Sequence, residues 1–243
     1  MKITPESDLC INVHAHRLAK GPHEWVLTSI FADDYPPLDG PGAYYSVGLH
    51  PAHIESCDVR LMLKKIQLST ENPLVLAIGE AGLDRMVSAP LELQIRVFEA
   101  QVEIAEQAGI PVIIHAVRSF NELIGFSKHH RPSVPMIIHG YRGSVQMASD
   151  LVREGFYLSF GAALLKDPRN ADAARTIPYE KLFLETDEDE ADILQIYQRM
   201  AAIRRITMAE LKHEMIKNAL AVFHRDETGF SGGSQHIEPS EDE

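Results

Sequence analysis

The sequence predicts an α/β protein with a TIM-type (β/α) barrel, formed by a single domain over residues 1–225. Short apolar runs alternate with segments of helical periodicity, which is typical of parallel sheets. Histidine or carboxylate residues stand at or just after the carboxyl ends of these runs. The length of 243 residues also suits one barrel domain.

In the first part of the chain, apolar runs predict four strands, at residues 8–13, 25–32, 44–49 and 75–79. A helix is expected at residues 63–68. The stretch from Arg17 to Tyr44 is short for a complete helix and strand, so we expect a trimmed first βα unit.

In the second part, residues 91–108 carry apolar side chains at helical spacing, and Gly109 ends that helix. The pattern then predicts strands at 112–114, 136–138, 156–160 and 182–184, and helices at 119–127, 145–154, 193–204 and 208–223. Residues 226–243 are rich in glycine, serine and acids, which predicts a disordered acidic tail.

The composition limits the partners that the protein can have. Its 35 acidic and 23 basic residues give a net charge of −12, so no basic face for nonspecific DNA binding is expected. No apolar run is long enough to cross a membrane, and the first residues lack a secretory signal. Two cysteines, Cys10 and Cys57, fit a reducing compartment, so we expect a cytoplasmic protein.

Six polar residues fall where predicted strands end. In a barrel these ends surround one mouth, so residues far apart in sequence meet there, whereas an open sheet would spread them along an edge. The barrel therefore explains the pattern better. The six residues are His14, His50, Glu80, His115, His139 and Asp187.

Histidine and carboxylate side chains are typical ligands of Zn²⁺ and Mn²⁺. His14 and His16 are two residues apart, so both leave the same face of an extended strand and can hold one ion. His115 and His139 would hold a second ion, with Glu80 bridging the two. Asp187 would bind the first ion or the water between the ions.

Two such ions acidify a water and neutralise charge that builds on the substrate. This predicts hydrolysis of phosphodiesters, phosphotriesters, amides or lactones, without choosing among them. Asp187 alone could instead cap the following helix. Six further histidines are not at strand ends and are interpreted as surface or packing residues: His53, His129, His130, His213, His224 and His236.

The motifs resemble those of the TatD family of metal-dependent hydrolases, a branch of the amidohydrolase-like barrels. They occur in the family's order across residues 8–225: Asn12-Val13-His14-Ala15-His16, Gly48-Leu49-His50-Pro51, Ile78-Gly79-Glu80-Ala81-Gly82-Leu83-Asp84, Pro111-Val112-Ile113-Ile114-His115, Ile137-Ile138-His139-Gly140, Tyr157-Leu158-Ser159-Phe160-Gly161 and Leu184-Glu185-Thr186-Asp187, with Asn218 and Phe223 in the closing helix.

This resemblance implies a TIM-type barrel and a metal-dependent nuclease or phosphodiesterase, often a 3′→5′ DNA exonuclease. It implies one divalent ion (Zn, Mn or Mg) bound by His14, His16, Glu80 and Asp187. A second ion would be bound by Glu80, His115 and His139. Asp187 would also take a proton from the attacking water, and His50 would contact the scissile phosphate.

The chain departs from the family pattern at several positions. Asn12 replaces the usual Asp, which predicts weaker support of the first histidine pair. Arg118 follows His115 in a shifted register from which it could reach a phosphate, and Arg142 is either a phosphate contact or a surface charge. Glu188, Asp189 and Glu190 replace Ala-Pro after Asp187, and these acids would repel nucleic acid.

We therefore expect an enzyme, a TatD-type DNase or phosphodiesterase that acts on DNA ends or small phosphodiesters. One alternative is hydrolysis of a non-nucleotide ester, lactone or amide. Barrels of that kind often bridge their metals with a carboxylated lysine, whereas this chain offers Glu80. Another alternative is a noncatalytic metal-binding scaffold, but retention of all six ligands argues against it, since a scaffold has no need for a water-activating pair of ions.

Overall fold

A computed structural model describes residues 3–35 and 43–223. The acidic tail predicted at 226–243, with His224 and His236, lies outside the described residues. The described strands are β1 (Cys10–Ala15), β2 (Glu24–Phe31), β3 (Tyr44–Gly48), β4 (Val75–Asp84), β5 (Val112–Val117), β6 (Met136–Ile138), β7 (Tyr157–Phe160) and β8 (Leu182–Leu184).

The strands form one parallel sheet in the order β1 to β8. Its two edges meet, since the His14 carbonyl accepts from the Asp187 N–H at 3.0 Å, and His16 N–H donates to the Asp187 carbonyl at 3.4 Å. These bonds bring β1 beside the end of β8. The predicted TIM-type barrel is therefore confirmed.

Eight helices connect or follow these strands in the described part of the chain. They are α1 (Val59–Ser69), α2 (Leu91–Ala108), α3 (Phe120–His130), α4 (Val145–Arg153), α5 (Ala163–Lys166), α6 (Pro168–Thr176), α7 (Ile193–Arg204) and α8 (Met208–Val222). Gly109 ends α2 in the left-handed conformation, as its position predicted. Thr207 and Glu210 form a capping box at the start of α8.

The structure differs from the predicted elements in two respects and agrees with them in a third. β1 runs to Ala15, β4 to Asp84 and β5 to Val117, so His14, Glu80 and His115 lie within their strands and not at the ends. α5 and α6 occupy a stretch to which the apolar pattern gave no element; α6 starts at Pro168, after an Asp167 cap. No helix separates β1 from β2, which confirms the trimmed first unit.

The strands and helices enclose one core of aliphatic and aromatic side chains. α2 faces that core with two buried glutamines as well. Gln101 binds the backbone of Leu49, just before His50, and Gln94 binds the backbone of Asp84. The helix thus fixes the ends of β3 and β4. Among the described residues, none of the helices has the length and apolar character needed to cross a membrane.

Candidate metal centre

The Glu80 carboxylate lies at the centre of the predicted residues. Its Oε2 atom is 3.5 Å from His14 Nε2 and 3.6 Å from His16 Nε2. Its Oε1 atom is 2.7 Å from His115 Nδ1 and 2.8 Å from His139 Nε2. The two oxygens of one carboxylate therefore face two different histidine pairs.

Asp187 joins the first pair. Its Oδ1 atom is 3.4 Å from His14 Nε2 and 3.6 Å from His16 Nε2. The residue that caps α7 is Asp192, whose side chain accepts from the Leu194 N–H at 2.9 Å. Asp187 is thus a member of the centre and does not cap the following helix.

Two further carboxylates lie behind the second pair. His115 Nε2 is 3.0 Å from Asp84 Oδ2, and His139 Nδ1 is 3.6 Å from Glu185 Oε1. Carboxylates in such positions fix the orientation and tautomer of metal-binding histidines. The sequence reading did not single out these two residues. Their separation from the ligand candidates could have indicated them. Asp84 comes four residues after Glu80 and Glu185 two before Asp187, and an even number of residues places side chains on the same face of an extended strand.

The donor set fits divalent ions. His14 is fully buried, and neither of its ring nitrogens has a hydrogen-bond partner among the described residues. The 3.4–3.6 Å separations around it are long for hydrogen bonds. They match the edge of a tetrahedron, about 3.4 Å, that metal–ligand bonds of about 2.1 Å would produce. Among the described residues, four overlapping groups of three residues could each hold an ion, because the ligand atoms within a group lie within 4.8 Å of one another.

Glu80 and His139 shift each other's pKa. Burial favours the neutral form of Glu80, but the charge of His139 and a hydrogen bond from His115 hold its pKa well below the usual range. Burial likewise opposes a charged His139, yet Glu80 and Glu185 raise its pKa well above the usual range. Glu80 and Asp187, whose pKa is lowered as well, are therefore ionised, and ionised carboxylates are suitable ligands for divalent cations.

His50 lies at the end of β3, beside Glu80. Its Nδ1 atom accepts from the Ala52 N–H at 3.1 Å, so a neutral ring carries its proton on Nε2. That nitrogen is 3.5 Å from Glu80 Oε1. Burial lowers the pKa of His50 to about 4, which leaves the ring neutral near neutral pH. His50 therefore offers an N–H donor to the centre.

An open cleft of about 840 Å³ lies over the centre. Its lining includes His50 and also His53, which the sequence placed among surface or packing residues. The His53 ring lies 4.7 Å from the Phe31 ring, centroid to centroid. A smaller hollow of about 320 Å³ contains Arg142 and adjoins Asp187. Arg118 is exposed at the end of β5 and lines neither space.

A parallel barrel with histidines and carboxylates gathered at its carboxyl mouth defines a metal-dependent hydrolase of the TIM type. The profile of the TatD related DNase family matches residues 38–224. The chain therefore belongs to the TatD related DNase family, as the sequence motifs predicted.

Individual relatives agree with this assignment. The chain is similar to the metal-dependent hydrolase YjjV of Escherichia coli K12, with 26% identity over 210 residues that cover 79% of each protein. It is also similar to the 3′-5′ ssDNA/RNA exonuclease TatD of Erwinia amylovora, with 27% identity over 203 residues, 73% of this chain and 77% of that protein. The YjjV crystal structure covers 88% of this chain and 97% of its own, with a TM-score of 0.78 and 22% identity, and has the same fold.

Proposed function

We propose that the protein is a phosphodiesterase that uses two divalent ions and acts on DNA ends or small nucleotides. The observation that carries the proposal is the Glu80 carboxylate, whose two oxygens face two separate histidine pairs. Relatives named as deoxyribonuclease and exonuclease TatD support the choice of a phosphodiester bond.

The ligand assignment follows the distances within the centre. One ion would be held by His14, His16 and Asp187, together with Oε2 of Glu80. The other would be held by His115 and His139, together with Oε1 of Glu80. Histidine and carboxylate donors accept Zn²⁺ and Mn²⁺ readily and Mg²⁺ more weakly.

A pair of divalent ions supplies Lewis acidity, which acidifies water and offsets the charge on a phosphate. The Asp187 side chain is 36% exposed, so its carboxylate can accept the proton of the attacking water. The water oxygen would bond to phosphorus while the bond from phosphorus to the leaving oxygen breaks, and that oxygen would take up the proton that Asp187 had accepted. The Nε2–H of His50 would donate to a phosphate oxygen and stabilise its charge.

The first test is hydrolysis of single-stranded DNA and of dithymidylate (TpT) by protein loaded with Mn²⁺, Zn²⁺ or Mg²⁺. We expect Glu80→Gln to lower turnover at least about a hundredfold and to reduce the bound metal, because the bridge between the ions is lost. Full turnover by this variant would contradict the bridge. Turnover of carboxylic esters or lactones without any phosphodiester cleavage would favour the alternative hydrolase.

The same assay separates a metal ligand from a substrate contact. His50→Ala should lower turnover about a hundredfold while elemental analysis shows unchanged metal, since only a donor to the phosphate is removed. The matched control is His129→Ala, an exposed histidine on α3, which should leave turnover and metal unchanged. Loss of metal in the His50 variant would make that residue a ligand.

We also propose that the protein is cytoplasmic, on the basis of its cysteines. The two cysteines, Cys10 and Cys57, are both free thiols. Unpaired thiols suit the reducing cytoplasm, which agrees with the expectation from composition.

A further inference from the structure

The cleft over the metal centre has an unusual charge for a site that would bind a polyanion. Apart from the residues of the centre, its charged lining consists of two acids, Asp34 and Glu188. Within residues 3–35 and 43–223, no lysine or arginine lines this cleft. Proteins that bind long nucleic acids use basic side chains to neutralise successive phosphates. The described lining of this cleft offers no such row of basic side chains.

The acids are not neutralised by their surroundings. Neither Asp34 nor Glu188 forms an ion pair with a lysine or arginine of the described chain, and both side chains are exposed. Asp189 and Glu190 follow Glu188 and are exposed as well. Arg142 lines the adjoining hollow together with Glu188 and Asp189, but it forms no ion pair with either of them. The cleft therefore keeps a negative rim.

One wall of the cleft is apolar and partly aromatic. It is formed by Ile30 and Phe31 at the end of β2 and by Ala52 and His53 after β3. The Phe31 and His53 rings lie 4.7 Å apart with an angle of 31° between their planes. Such a wall can pack against one planar ring, as aromatic side chains do with nucleobases.

On the basis of the proposed phosphodiesterase function, we propose that the cleft selects short phosphodiesters, with Glu188 as a specificity-determining residue. One nucleobase packs against Phe31 and His53 while the scissile phosphate lies at the metal centre. Glu188 disfavours any further phosphate of a longer chain. A unit charge about 7 Å from a phosphate weakens binding about threefold in water, and less as salt rises.

The test compares TpT with a longer oligothymidylate on the metal-loaded full chain. We expect a higher kcat/KM for TpT. For the oligonucleotide, kcat/KM should stay level or rise as NaCl increases from about 20 to about 200 mM, because salt screens repulsion. The affinity of a fluorescently labelled oligothymidylate for the metal-free protein, measured by anisotropy, should follow the same trend with salt.

Variants locate the effect. Glu188→Gln should raise the ratio of oligonucleotide to TpT kcat/KM about threefold. The matched control is Glu190→Gln, which removes the same charge outside the cleft lining and should change this ratio less. Phe31→Ala should lower kcat/KM for TpT about tenfold. Replacing one or the other thymidine of TpT by ethanol gives two esters that each keep a single base. The ester whose base does not reach the wall of Phe31 and His53 should have the same kcat/KM with and without Phe31→Ala.

The outcomes distinguish this inference from the function on which it rests. Absence of phosphodiester cleavage in any metal would overturn the proposed function and the inference together. Cleavage of both substrates, with the oligonucleotide preferred and its rate falling as salt rises, would overturn the inference alone. Equal ratios for Glu188→Gln and Glu190→Gln would remove Glu188 as the determinant.

Discussion

At the scale of single residues, a buried asparagine joins the first strand to the segment that carries Asp187. The Asn12 amide nitrogen donates to Glu24 Oε1 at 3.0 Å and to Thr186 Oγ1 at 2.9 Å. Its oxygen accepts from the Thr186 N–H at 3.1 Å. None of these bonds reaches His14 or His16, since the partners of Asn12 are Glu24 and Thr186.

The neighbouring acid explains why an amide occupies this position. Glu24 is 8% exposed and is bound by Arg17, with Nη2 to Oε1 at 2.7 Å and Nη1 to Oε2 at 3.0 Å. Burial would raise the pKa of Glu24, but the hydrogen bonds from Arg17 and Asn12 lower it. An ionised Glu24 needs a donor at Asn12, and a carboxylate there could not supply one.

Asn12→Asp tests this account. It places a second carboxyl about 3 Å from Glu24, so one of the two must stay protonated in the folded state. We expect a loss of about 2–4 kcal/mol in the free energy of unfolding near neutral pH. A raised folded-state pKa means that stability is present at low pH and lost as pH rises, so the deficit should be smaller near pH 4.

Urea denaturation at several pH values measures this deficit. Asn121→Asp, an exposed position in the first turn of α3, is the matched control and should change stability by less than about 0.5 kcal/mol. A deficit that does not depend on pH would show that repulsion from Glu24 is not its cause.

At the scale of elements, β4 is held against β5 by a close backbone approach. Gly82 pairs with His115 and has a φ of +152°, and a Cβ atom there would lie 2.0 Å from the His115 carbonyl oxygen. Only glycine fits such a contact, because the backbone has no room for a side chain. The same approach brings Glu80 of β4 beside the His115 ring.

Gly82→Ala should therefore separate the two strands. We expect a loss of at least about 3 kcal/mol in unfolding free energy, together with a lower metal content. Gly125→Ala in α3 is the control, because an added Cβ there meets no side chain and no backbone outside its own helix within 4 Å. That change should raise stability by about 0.5–1 kcal/mol through helix propensity. Similar urea midpoints for the two variants would contradict the crowding of β4 and β5.

At the scale of the whole molecule, closure of the barrel buries several polar and charged side chains close together. Such side chains destabilise the folded state unless they have partners. The rings of His14 and His139 are buried, with side-chain exposures of 0% and 8%, and the ionised Glu80 lies between them. A buried polar group without a partner destabilises the folded state. Ions bound only by the folded centre should thus contribute to stability.

Metal addition tests this contribution. At about a hundredfold excess over Kd, one ion adds about 2.7 kcal/mol, which for a domain of this size raises Tm by about 5–10 °C. We expect that rise with Mn²⁺ or Zn²⁺ and its reversal by EDTA, measured by differential scanning fluorimetry. Glu80→Gln should show a smaller rise. An equal Tm with and without metal would contradict the assignment of a structural role to the ions.

Much of this protein follows from its sequence because the relevant signals are local. Apolar runs located the eight described strands, with β1 shifted by two residues and β4 and β5 longer than predicted, and polar residues near the predicted ends identified the ligand candidates. A residue at a strand's carboxyl end must lie at the barrel mouth whatever the details of packing. The family and the metal-binding residue types were therefore readable without coordinates.

The tertiary structure alone decided which atoms meet. Local pattern does not encode contacts across 174 residues, such as Asn12 with Thr186, because these depend on strand register and barrel closure. The same holds for the two faces of the Glu80 carboxylate and for the Nε2 proton of His50, which a backbone N–H at Ala52 fixes. The sequence determined the set of donors, and closure of the barrel determined how they are paired.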